Sequence, residues 1–148
     1  MSRPVPVSPI PFLLLALAAC GGGAPAARVT ITAPADGDTV GPGVTVRLEA
    51  TGWRVVPADG LETAGEGHHH LFLDVDPVAA GDTIGRAQGI VHLGSGASEH
   101  TFEGLAPGPH RVIAVAAFGS HRAMPGVARD TVTFTVRADS TGASPVTP

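Results

Sequence analysis

An all-β fold, specifically an immunoglobulin-like antiparallel β-sandwich of about seven strands, is what this sequence predicts. Three observations carry that expectation: apolar and polar residues alternate, no stretch holds a helical period, and turn-forming clusters recur at short intervals. Val29 and Ile31 share one face, with Thr30 and Thr32 opposite. Val44, Val46, Leu48 and Ala50 alternate with Thr45, Arg47, Glu49 and Thr51, and Val132, Phe134 and Val136 alternate with Thr131, Thr133 and Thr135. β-Branched residues at period two fit a pleated surface buried on one side. The runs are separated by Pro34-Ala35-Asp36-Gly37, Gly41-Pro42-Gly43, Gly94-Ser95-Gly96 and Pro107-Gly108-Pro109. Candidate strands therefore fall near 28–33, 44–51, 68–75, 89–93, 99–105, 110–118 and 130–137. The segment from His110 to Phe118 carries Ala114, Ala116 and Ala117, which would suit a helix. It is short, holds Val112, Ile113 and Val115, and lies between a Pro-Gly turn and Gly119, so a strand buried on both faces is expected.

The chain of 148 residues allows one ordinary domain. Its nine basic residues are all Arg, scattered singly against thirteen acids, for a net charge of −4. With no basic stripe, nucleic acid is not an expected partner. The absence of Lys and Tyr excludes lysine Schiff bases, a P-loop lysine and tyrosine acid–base chemistry. No Gly-x-Ser-x-Gly occurs, and Asp36-Gly37-Asp38 falls far short of a calcium loop.

The first residues read as an address. Arg3 precedes the apolar run Phe12 to Ala19, too short to span a bilayer, and residues 1–19 are expected to be an export signal. Leu17-Ala18-Ala19-Cys20 resembles the lipobox of bacterial lipoproteins, which implies cleavage before Cys20 and acylation of its thiol. Several acyl chains give lasting attachment where one is marginal. Gly21 stands where an Asp would signal inner-membrane retention, so the expected location is the cell envelope, at the outer membrane and facing the periplasm. Residues 20–27 then form a lipidated flexible tether, 28–137 the β-sandwich, and 138–148 a disordered tail. With its only Cys acylated, the mature chain has no thiol for a disulfide, a nucleophile or a metal.

Seven histidines are the informative polar residues. In Gly67-His68-His69-His70-Leu71-Phe72-Leu73-Asp74, strand alternation sends His68 and His70 to one face and His69 to the other. Two imidazoles at that spacing can converge on one ion. His92 and His121 lie at strand ends, where loops can bring them in. The expected metal ligands are thus His68, His70, His92 and His121, for copper or zinc; Met124, three residues past His121, could add a soft thioether suited to Cu(I), and the sequence leaves its role open. His69 is expected to be a core residue bonded to a backbone carbonyl, His110 a structural residue at a Pro-Gly corner, and His100 a surface residue. Asp74 and Asp76 are placed to orient imidazoles rather than to act as a catalytic pair.

These same segments carry a resemblance. Gly67-His68-His69-His70-Leu71, then His92-Leu93-Gly94-Ser95-Gly96 with Glu99, then Leu105-Ala106-Pro107-Gly108-Pro109-His110 and Gly119-Ser120-His121, are similar to a bacterial family of exported domains. That family is the domain of unknown function numbered 4399, and the likeness runs from Ile31 to Val136. The last segment departs from it: the family often carries two His around an Asp and an Asn, where this chain has His121-Arg122-Ala123-Met124. The resemblance implies a secreted or lipid-anchored β-domain and supplies no enzyme activity, since the family has no established one. The expected function is a lipid-anchored, non-catalytic domain that binds a transition metal. The alternative is a structural or protein-interaction module, its partner unspecified, with the histidines as a hydrogen-bond network. An enzyme using a zinc-bound water ranks third, since no substrate-binding motif is visible.

Overall fold

The computed structural model describes residues 26–138. The lipobox with Cys20 and the tail from 139 lie outside the described residues. Nine strands follow in order: β1 (Arg28–Ala33), β2 (Asp38–Val40), β3 (Val44–Thr51), β4 (Arg54–Val55), β5 (Glu66–Leu73), β6 (Ile90–Leu93), β7 (Glu99–Phe102), β8 (Gly108–Ala117) and β9 (Asp130–Val136) among the described residues. Seven of them coincide with the seven sequence candidates. The two others, β2 and β4, are too short to carry a period, at three and two residues. They also pair parallel, with β9 and β5, on an otherwise antiparallel framework.

One sheet has the order β1-β3-β7, and the other runs β2-β9-β8-β5-β4, with β6 also paired to β5. The first, second and fifth long strands thus share a sheet opposite the third, sixth and seventh, which is immunoglobulin connectivity, with the fourth added beside the third. Between the sheets lie Val29, Ile31, Val44, Val46 and Leu48 from one side and Leu71, Val112, Ala114, Val132, Phe134 and Val136 from the other. These are the alternating positions of the sequence. Leu73, on the inward-facing alternation of His69 and Leu71, is only half-buried, because β5 ends there and Asp74 turns away with φ +58°.

Strand β8 is buried on both faces from Val112 to Ala117. The reason is a third layer. Segments 74–89 and 119–123 fold over the outer face of the larger sheet, and Ile84 and Ala123 pack there against Phe72, Ile113, Val115 and Ala117. The segments bond to one another through Ile84 N–H to His121 O (2.8 Å), Ala123 N–H to Asp82 O (2.9 Å) and Gly81 N–H to Ala123 O (2.9 Å). This layer makes a buried environment on a face that a two-sheet sandwich would leave wet, and it carries one of the histidines.

Candidate metal centre

Strand alternation separates the triple histidine as expected. His69 points into the sandwich, edge-on to Trp53 at 5.0 Å, with Nδ1 3.4 Å from Ala97 O. His68 and His70 point into the third layer, at 0% and 2% exposure. The register explains the room they find. His68 stands beside Ala117, His69 beside Ala116 and His70 beside Val115, so the alanines that gave β8 its helical tint leave space for imidazole rings. On the opposite edge of β5, His70 pairs directly with His92 of β6, and their rings stack at 5.0 Å.

His121 completes the group from the third layer. The Nε2 atoms of His68 and His70 are 3.0 Å apart, and those of His92 and His121 are 3.1 Å apart. One ligand atom from each of the four rings lies within 4.8 Å of every other. Ring centroids for the six pairs fall between 4.6 and 5.8 Å. Four imidazoles bound tetrahedrally to zinc at about 2.0–2.1 Å would give nitrogen separations of about 3.3 Å and centroid separations of about 5.2 Å. The observed centroid separations bracket that value, and two of the nitrogen pairs, at 3.0 and 3.1 Å, stand close to it. Their donor chemistry fits a borderline divalent ion, and no carboxylate or thiolate joins the set among the described residues.

The electrostatics favour the binding form. Burial, then the neighbouring rings, lowers the pKa of His68 to about 4 and of His70 to about 3. Burial also lowers His92, with His121 and Arg86 acting in the same direction. Imidazole binds metal only when unprotonated, so these rings are ready near neutrality without displacing a proton from the ligating nitrogen. His68 Nδ1 and His70 Nδ1 are buried with no hydrogen-bond partner among the described residues. Each of these two rings turns Nε2 to the other, so the unpartnered Nδ1 atoms are the outer nitrogens of the pair, and His69 Nε2 in the sandwich is unpartnered in the same way.

Several supporting residues escaped sequence reasoning. The His92 ring lies over the backbone of Gly94, where a Cβ would sit 2.1 Å from His92 Cε1. That is the physical content of the His-x-Gly spacing in His92-Leu93-Gly94. A Cβ at Gly67 would fall 2.2 Å from Ala117 O, so the glycine before His68 lets β5 and β8 close up. His121 adopts φ +68°, an uncommon conformation for a residue with a side chain. Its turn is tied to the 59–62 segment. Ser120 Oγ–H and Arg122 Nε–H donate to Glu62 Oε1 at 2.9 and 2.8 Å, and Arg122 also lies over the Phe118 ring at 5.3 Å. Such a tie joins residues about sixty positions apart and leaves no local signal.

The remaining candidates are placed away from the centre. Met124 is not a soft donor to it: its side chain packs in the sandwich core, with Sδ 2.9 Å from where a Gly67 Cβ would stand, on the face opposite His68 and His70. His100 is half-buried and edge-on to Phe102 at 4.7 Å. His110 donates from Nδ1 to Asp74 Oδ2 (2.7 Å) and from Nε2 to Ala106 O (2.8 Å), so the structural role holds and Asp74 does orient an imidazole.

No curated protein matches the chain significantly. Residues 46–137 match the profile of the family described as Domain of unknown function (DUF4399), a span holding all four converging histidines, strands β4 to β9 and most of β3, though not β1. The chain belongs to the DUF4399 family.

Proposed function

We propose that this protein is a zinc-binding domain of the bacterial cell envelope, held to a membrane by lipid on Cys20. The single observation that supports the metal is the near-regular tetrahedron of the four rings of His68, His70, His92 and His121. Four neutral nitrogens in that arrangement suit Zn(II), whereas Cu(II) prefers a tetragonal plane, which this tetrahedral placement of the rings does not offer. Four protein ligands saturate a tetrahedral ion, which supports binding rather than catalysis, since a catalytic zinc keeps a position for water or substrate.

Calorimetric titration of the full-length protein with Zn(II), followed by elemental analysis, tests this reading. One ion per chain is expected, lost in the paired His68→Ala and His70→Ala variant. Binding that ignores this pair would refute it and leave the histidines as a polar network inside an interaction module. The anchor rests on the lipobox-like run ending at Cys20. Cys20→Ser is expected to release the protein from membranes, and equal retention of the variant would remove that part of the proposal.

A further inference from the structure

The four ligands are held in unequal ways. His68 and His70 sit on β5, which is hydrogen-bonded to β8 along one side and to β6 and β4 along the other. Moving either ring means unzipping the middle of the larger sheet. His92 is exposed, but it is fixed opposite His70 and seated on Gly94. His121 belongs to no strand. It sits in a tight turn closed by His121 N–H to Phe118 O (2.8 Å) and Phe118 N–H to Arg122 O (2.9 Å), with its side chain half-exposed.

We propose that the site exchanges its metal, and that His121 is the ligand that leaves and returns, opening one position to an incoming neutral nitrogen donor. The inference rests on the zinc-binding reading above. A rotation of the His121 side chain toward solvent breaks one metal–nitrogen bond, and the incoming nitrogen forms another. No electron moves, and the ion keeps its charge. His68, His70 and His92 retain it meanwhile as a three-nitrogen cradle.

The outer contacts point the same way. A metal-binding imidazole ordinarily donates its other N–H to a carboxylate, carbonyl or water, which raises its basicity, and losing that partner typically weakens binding. His68 and His70 have no such acceptor among the described residues. Nor is there a thiolate to add charge to the donor set. The ion is therefore bound by shape more than by ligand strength, which suits release. What keeps His121 in place is its backbone bond to Ile84 and the surface tie of Ser120 and Arg122 to Glu62. The tie is solvent-exposed, with side chains near 40% accessible, so it adds little to global stability and acts chiefly on where the turn sits.

Cobalt(II) is the probe, because its visible spectrum reports coordination number and geometry. Full-length protein is expected to give an intense tetrahedral spectrum. His121→Ala is expected to keep Co(II) with weaker affinity and a changed spectrum, and added imidazole to restore the four-nitrogen bands. His70→Ala is not expected to be rescued, because its ring is enclosed. Independently, Arg122→Leu is expected to release Zn(II) to a chelator roughly tenfold faster, with its thermal unfolding little changed. If the wild type binds Co(II) but imidazole fails to restore His121→Ala, or Arg122→Leu releases zinc at the wild-type rate, the exchange proposal is overturned while zinc binding stands. A wild type that binds no metal removes both.

Discussion

On the zinc-binding proposal, zinc at a free concentration a hundred times its dissociation constant is expected to raise the midpoint of thermal unfolding by roughly ten degrees, and His70→Ala to abolish the shift. A ligand that binds only the folded state at that excess adds about 2.7 kcal/mol, and 1 kcal/mol moves a domain of this size by several degrees. His70 is the decisive position because it is both an enclosed donor, at 2% exposure, and the cross-strand partner of His92, so its loss removes one ligand and unseats another. His100→Ala serves as the control and keeps the full shift, since that ring lies against Phe102 on the other sheet. Differential scanning calorimetry with and without zinc measures both. Equal shifts in the two variants would mean that zinc acts elsewhere on the molecule.

The metal-free protein is expected to have its greatest stability near pH 6.5, with His68 and His70 contributing to the fall on the acid side and His110 on the alkaline side. His68 and His70 have folded-state pKa values of about 4 and about 3 against a reference near 6.5. The unfolded chain binds these protons first. Their contribution is complete above pH 6.5 and is lost as the pH falls toward the folded values, at up to about 1.4 kcal/mol per pH unit for each proton. His110 has the opposite sign. Burial pulls it down, but the Ala106 carbonyl and the Asp74 carboxylate outweigh burial and raise its pKa. Both its ring nitrogens face groups that only accept, so the bonds are complete only in the imidazolium. That contribution is full below pH 6.5 and disappears as the pH rises through the raised folded value. Urea midpoints measured from pH 4 to 9 test the assignment: His70→Leu should flatten the acid limb and His110→Gln the alkaline one. A profile unmoved by either substitution would show that these rings do not set it.

Much of the sandwich was legible because period two survives wherever one face is wet. The alternation at Val44 to Thr51 and at Thr131 to Val136 gave strand, face and core together. The same rule separated His69 from His68 and His70 before any coordinates. What could not be read lies outside local pattern. Parallel strands β2 and β4 are too brief for a period, and the third layer is built from segments with no regular structure. The burial of His68 and His70 comes from that layer, so the sequence could place their rings together without showing that they are dry. Met124 was misjudged for a related reason. Three residues separate it from His121, but the chain reverses at that turn, and Met124 N–H bonds to Ala116 O beside the core. Proximity along the chain carried no information about the face reached.

The left-handed backbone at His121 has a consequence for anyone who engineers or evolves this domain. A side chain in that region costs on the order of 1 kcal/mol, and glycine is free of the cost. Selection for thermal stability without metal in the medium would therefore reward His121→Gly, and the winning variant would be a sturdier domain with an incomplete centre. On the zinc-binding proposal, stability and metal retention are opposed at this one residue, so a screen that sees only the first would erode the second.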